Sequence, residues 1–173
     1  MSAETFLVLT VIGDDRPGLV GELSAAIAAQ QGNWLESSMS HLAGKFAGIV
    51  KVAVPAAQAE ALKAALGKLD ALKVTVESAE EKSVSAGRRL KLALVGHDRI
   101  GIVREVSQVL ARHAVNVEKL ETHAASAPMS AETLFHAQAE LAAGPSLDAR
   151  ALKAELERLS DDLMVDITLD ETI

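Results

Sequence analysis

Val11-Ile12-Gly13-Asp14-Asp15-Arg16-Pro17-Gly18-Leu19-Val20 returns, altered but legible, as Leu94-Val95-Gly96-His97-Asp98-Arg99-Ile100-Gly101-Ile102-Val103. From Gly13 to Gly96 the offset is 83. The same offset carries Leu23 to Val106, Ile27 to Leu110 and Asn33 to Asn116. Further along it widens: Phe46 matches Phe135 at 89, and Pro55 matches Pro145 at 90. Copy two therefore holds six extra residues, near Ala125–Ala131. Self-similarity on this scale means one supersecondary unit written twice. It sets two domains, 1–79 and 89–173. The polar stretch 80–88, with Glu80, Glu81, Ser83, Ser85 and Gly87, reads as the linker between them.

Each copy spells out the same elements. Thr5–Ile12 and Arg89–Val95 are short and rich in Val and Leu, as strands are. Leu19, Leu23, Ala26, Ile27 and Gln30 then recur at helical spacing, as do Ile102, Val106, Val109, Leu110 and His113. Pro17 falls where a first helical turn tolerates proline. Second strands are expected over Asn33–Leu42 and Asn116–Ala124. Third strands alternate: Phe46, Gly48, Val50, Val52, Val54 in one copy and Phe135, Ala137, Ala139, Leu141 in the other. Pro55 and Pro145 are expected to open second helices, with apolar stripes Leu62-Leu66-Leu69 and Leu152-Leu156-Leu159. Lys73–Ser78 and Leu163–Leu169 close the copies as strands. The order β-α-β-β-α-β is that of the split βαβ, ferredoxin-like unit. Right-handed crossovers then set two helices on one face of a four-stranded antiparallel sheet. The fold class is α+β, with two such domains in tandem.

Phe6-Leu-Val-Leu-Thr-Val-Ile12 is apolar at nearly every position, whereas a sheet with one wet face alternates. A second cover is therefore expected, from the sister domain or from a second chain by sheet-to-sheet association.

Composition excludes several classes. The chain has 173 residues, a formal charge of −7, no cysteine and only 2% aromatic residues. Its cores must be aliphatic. Disulfide and thiolate chemistry are ruled out. Nucleic acid binding needs clustered Lys and Arg with stacking platforms, which this chain lacks. No leader pattern and no membrane-length apolar run is evident, so a cytoplasmic address is expected. The five histidines (His41, His97, His113, His123 and His136) form no tight metal motif. His123 and His136 are placed to face each other across two strands. No G-x-S-x-G elbow occurs, and Leu19-Val20 stands where a P-loop needs Lys and Ser/Thr. No catalytic residue, metal or cofactor is expected.

The turn Asp14-Asp15-Arg16-Pro17-Gly18-Leu19-Val20, with its echo His97-Asp98-Arg99-Ile100-Gly101-Ile102-Val103, is the candidate ligand site. A helix N-terminus offers unpaired N–H groups and partial positive charge. Glycine there lets a carboxylate approach the backbone. Asp15 and Asp98 suit either a helix cap or a ligand ammonium group. Asn33 and Asn116 open the next strand with amides able to bond both ends of a zwitterion. The same residues also read as plain structure: an N-cap, a Pro-Gly turn and arginines in solvent.

On this topology the turn resembles that of the ACT domain, a family of amino-acid-sensing regulatory modules. The resemblance covers roughly Thr5–Ser78 and Arg89–Thr168, and copy two departs from the pattern by lacking the proline. Two such units with little else resemble the layout of the glycine cleavage system transcriptional repressors. The resemblance implies a small amino acid as ligand, glycine or serine first, held between this loop and a neighbouring domain's strand. It also implies a protein partner, a transcriptional activator. The alternative is a protein-interaction module without a small ligand.

Overall fold

The computed structural model describes residues 3–80 and 87–172. It divides into two compact units, Met1–Lys82 and Ser83–Ile173. The expected linker lies largely outside the described residues. Arg88, which was read into it, instead opens a strand.

Unit 1 runs β1 (Glu4–Asp14), α1 (Leu19–Ala29), β2 (Asn33–Leu42), β3 (Lys45–Pro55), α2 (Ala59–Gly67) and β4 (Lys73–Ser78). Its sheet has the order β2-β3-β1-β4. Unit 2 runs β5 (Arg88–His97), α3 (Ile102–Arg112), β6 (Asn116–Ser126), β7 (Thr133–Ala143), α4 (Ala149–Leu163) and β8 (Val165–Thr172). Its order, β6-β7-β5-β8, repeats that of unit 1. All pairings are antiparallel. The ferredoxin-like double unit read from the sequence is the fold observed.

Both cores form by the same logic. Leu7, Leu9 and Val11 of β1 and Val50, Val52 and Val54 of β3 point to one face. There they meet Leu19, Leu23 and Ile27 of α1 and Leu62 and Leu66 of α2. In unit 2, Leu90, Leu92 and Leu94 meet Val106, Leu110, Leu152 and Leu156. No described polar or charged residue is buried. Aliphatic burial alone is therefore the driving force, at about 25 cal/mol per Å² of apolar surface.

The other face of β1 is partly covered within unit 1. Phe6 and Val8 are half-buried, and Lys51 reaches over the Phe6 ring with Nζ 5.2 Å from its centre. Ile12 and Ile49 remain 44% and 54% exposed. Within unit 1 this face is thus only partly covered.

Two boundaries need correction. Pro55 ends β3 and is the N-cap of a short 3-10 helix, Ala56–Gln58, that runs on into α2, whereas Pro145 opens no helix. Pro145 lies in the approach to α4, whose N-cap is Asp148; its carboxylate accepts the Ala151 N–H at 3.0 Å. Leu163 belongs to α4 and not to the last strand: Met164 takes a left-handed φ of 51°, and β8 starts at Val165. The extra residues of copy two fall at the β6–β7 hairpin, which spans 127–132 against 43–44 in unit 1.

Glu155 clamps the two helices of unit 2. It accepts Arg112 Nε at 3.0 Å, bonds Arg112 Nη2 as well, and meets His113 Nε2 at 2.6 Å. The Arg112 guanidinium, and after it His113, holds the Glu155 carboxyl below its ordinary 4.5. A carboxyl depressed on folding stabilises above its unfolded pKa and loses that effect as pH falls through the folded value. Glu155→Gln should therefore lower the melting temperature at neutral pH. The gap from wild type should close as pH falls below about 4.5, which thermal melts across a pH series will measure.

Candidate ligand site at the strand-to-helix turn

Each first helix begins at a left-handed glycine. Gly18 is the N-cap of α1 with φ 97° and ψ −8°, and Gly101 is the N-cap of α3 with φ 90° and ψ 0°. Here the requirement for glycine is conformational, because an L side chain in this region costs about 1–2 kcal/mol. The glycines precede the first helical turn instead of lying in it, and Pro17 stands one residue further out. Glu22 N–H donates to the Gly18 carbonyl at 2.9 Å, and Glu105 N–H to the Gly101 carbonyl at 3.0 Å. Neither helix has a side-chain cap. Asp15 and Asp98 are therefore not capping residues.

Other bonds fasten the turns. Asp15 N–H donates to Gly44 O at 2.9 Å, and Asp98 N–H to Thr133 O at 3.0 Å. These tie each turn to the hairpin that follows the second strand. The Asp15 carboxylate faces His41 Nδ1 at 3.6 Å. Asp14 pairs with Lys45, whose ammonium holds the Asp14 carboxyl below its usual range. In unit 2 a different pair stands here: His97 Nδ1 lies 3.7 Å from Glu132.

The arginines do not lie loose in solvent. Arg16 Nη2 meets Glu22 Oε1 at 2.7 Å and Arg16 Nη1 donates to Pro17 O at 3.2 Å. Arg99 Nη2 meets Glu105 Oε1 at 2.6 Å. Glu22 and Glu105 are themselves related by the offset of 83, so comparison of the copies could have found them. All four side chains are about 40% exposed or slightly more or less. Such pairs contribute only about 0.2–1 kcal/mol, so a carboxylate ligand competes for these guanidinium groups at small cost.

In unit 1 a cavity of about 150 Å³ opens here, lined by Asp15, Arg16, Gly18, Val20, Gly21 and Phe46, among others. Leu19 and Ile102 are 3% exposed and anchor their helices in the cores. Val20 and Val103 are 48% and 42% exposed, and Ile100 is fully exposed. Asn33 and Asn116 are not brought to the turns of their own units. Asn33 pairs with Ala53, which pairs with Phe6. Phe6 lies eight residues back along β1 from Asp14, roughly 26 Å at strand rise. Asn116, paired with Ala142 next to Arg89, is as remote from His97.

His123 and His136 do face each other, with ring centroids 4.6 Å apart and nearly parallel planes. Among the described residues no group of three or more metal-ligating side chains converges.

The ACT domain family matches residues 5–78, which span unit 1 and this turn. Unit 1 belongs to the ACT-domain family. A protein of unknown function from Galdieria sulphuraria shares 31% identity with it and superposes with a TM-score of 0.89, over 99% of this chain and 100% of that one. The second unit is thus part of the likeness. A candidate glycine cleavage system transcriptional repressor superposes with a TM-score of 0.68 over 99% of both chains. At 17% identity that likeness is one of fold. No curated protein gave a significant match.

If conformation sets the demand for glycine, Gly18→Ala and Gly101→Ala should each destabilise their unit by about 1–2 kcal/mol. Denaturant unfolding of each variant checks this.

Proposed function

We propose that this ACT-domain protein is a regulator that binds a small amino acid at the β1–α1 turn and passes the signal to a protein partner. The observation that carries the reading is the uncapped N-terminus of α1, with Arg16 beside it and a cavity of about 150 Å³ in front. Backbone N–H groups and a guanidinium together suit a carboxylate. Asp15 lines the same cavity and suits an ammonium group. Glycine and serine are the first candidates, by the likeness to the candidate glycine cleavage repressor. Unit 2 repeats the cap and the arginine clasp, with Ile100 in place of Pro17 and His97 in place of Asp14. Its affinity is expected to differ. Asn33 and Asn116 are not part of the proposed pocket of their own unit.

The partner is proposed to be a transcriptional activator, supported by a layout shared with the candidate glycine cleavage repressor. A ligand shifts such an equilibrium only through differential affinity for two states. No described helix is long and apolar enough to cross a membrane, and we place the protein in the cytoplasm. This reading is non-catalytic. The exposed Ile12 and Ile49 on the helix-free face of unit 1 favour a second role in association, through a second chain or the partner.

Calorimetric titration with glycine, serine and other amino acids tests the proposal. Saturable binding is expected. Arg16→Met should weaken it by roughly 10- to 100-fold, the range for losing one charge-assisted hydrogen bond. An absence of heat with every amino acid would remove the sensor reading and leave the interaction module.

A further inference from the structure

Three of the five histidines face a carboxylate: His41 lies by Asp15, His97 by Glu132 and His113 by Glu155. The other two face each other. His123 of β6 and His136 of β7 are directly opposed in the strand register. Their rings stack with centroids 4.6 Å apart and planes 1° from parallel. Among the described residues, neither ring has a hydrogen-bond or ion-pair partner, so their nitrogens are available to a ligand. His123 is exposed and His136 half-buried. His136 alternates with the buried Ala137 and Ala139, which sets the pair on the helix-free face of unit 2.

Unit 1 has no such pair. There the row Ile12, Ala47, Ser40 stands where unit 2 has Val95, His136, His123. Both positions differ together, as the two halves of one site do. The surroundings are acidic or neutral. Val95 separates His136 from Asp166, and the next row along holds Glu121 opposite Gln138. On the other side lies Ala125 opposite Leu134. Among the described residues in these rows there is no Lys or Arg, so the local field attracts a cation.

Directly opposed strand positions hold their Cβ atoms about 4.5–5.5 Å apart. Bonds of about 2.0–2.1 Å to a zinc-sized ion set two imidazole nitrogens roughly 3.3 Å apart. The last torsion of histidine is soft, so a tilt of the stacked rings reaches that spacing without moving the backbone. Imidazole suits Cu²⁺, Ni²⁺ and Zn²⁺, whereas Mg²⁺ and Ca²⁺ demand oxygen.

We infer that His123 and His136 form a two-histidine site for a divalent transition ion, Cu²⁺ ahead of Ni²⁺ and Zn²⁺. The two rings supply two coordination positions and water fills the rest. The bound ion clips β6 to β7. That matters for β6, an edge strand that pairs with β7 alone and is exposed along its whole length.

The test uses the full chain without an affinity tag, titrated with Zn²⁺ while NMR follows the ring protons of all five histidines. Saturable shifts are expected at His123 and His136, with His41, His97 and His113 unmoved. Cu²⁺ should displace the zinc, and Mg²⁺ should leave the spectrum unchanged. His123→Ser and His136→Ala install the residues of unit 1. Each should weaken zinc at least roughly tenfold, because the second ligand is no longer held in place beside the first. Zinc should raise the melting temperature of the wild type but not of the double variant. No saturable shift up to millimolar zinc, shifts spread over all five rings, or unchanged affinity in His123→Ser overturns the inference. Amino-acid binding at the turn is read separately by calorimetry, so failure of either site leaves the other standing.

Discussion

A residue with φ near +90° stands between strand and helix in each unit, and the rest of the unit follows from it. Gly18 and Gly101 let the chain leave the centre of the sheet and reverse at once into a helix. Leu19 and Ile102 then meet the sheet as the first core residues of that helix. The backbone bonds from Asp15 and Asp98 to the adjoining hairpins lock the same corner. With the glycine as cap, no side chain bonds the first N–H groups of the helix, and the proposed site uses that opening. One conformational demand thus sets the strand, the turn and the helix of each unit at once.

Much of this was legible because repetition and alternation are direct records of packing. The inward face of β3 appears in the sequence as Phe46, Gly48, Val50, Val52 and Val54, and each copy checks the other. What the residues concealed has specific causes. Pro145 matches Pro55 in sequence, yet three residues separate it from α4, and Asp148 does the capping. Gly18 looked like an allowance for a ligand, but the backbone needs it whether or not a ligand binds. Asn33 looked close to the turn in the chain; register puts it at the opposite end of the sheet. Arg16 and Arg99 find their glutamates six positions on, a spacing outside the i, i+3 and i, i+4 pairs of a regular helix.

The copies have kept the corner and let the edges drift. Backbone geometry at the two caps agrees closely, whereas the edge strands do not. β2 seats a tryptophan and a methionine in its core; β6 lies wholly exposed. Around the turn, the flanking pair has changed from Asp14–Lys45 to His97–Glu132. A duplicated unit constrained at one point is free to specialise elsewhere, and unit 2 is where the specialisation shows.

Trp34 is the chain's sole tryptophan, and the chain has no tyrosine. It sits against the core of unit 1. Indole emission therefore reports on one half of the molecule and is blind to the other. Circular dichroism, by contrast, sums the helices of both. The natural chain thus carries an optical label at a single address. Comparing the two signals during unfolding shows directly whether the halves come apart together or in turn.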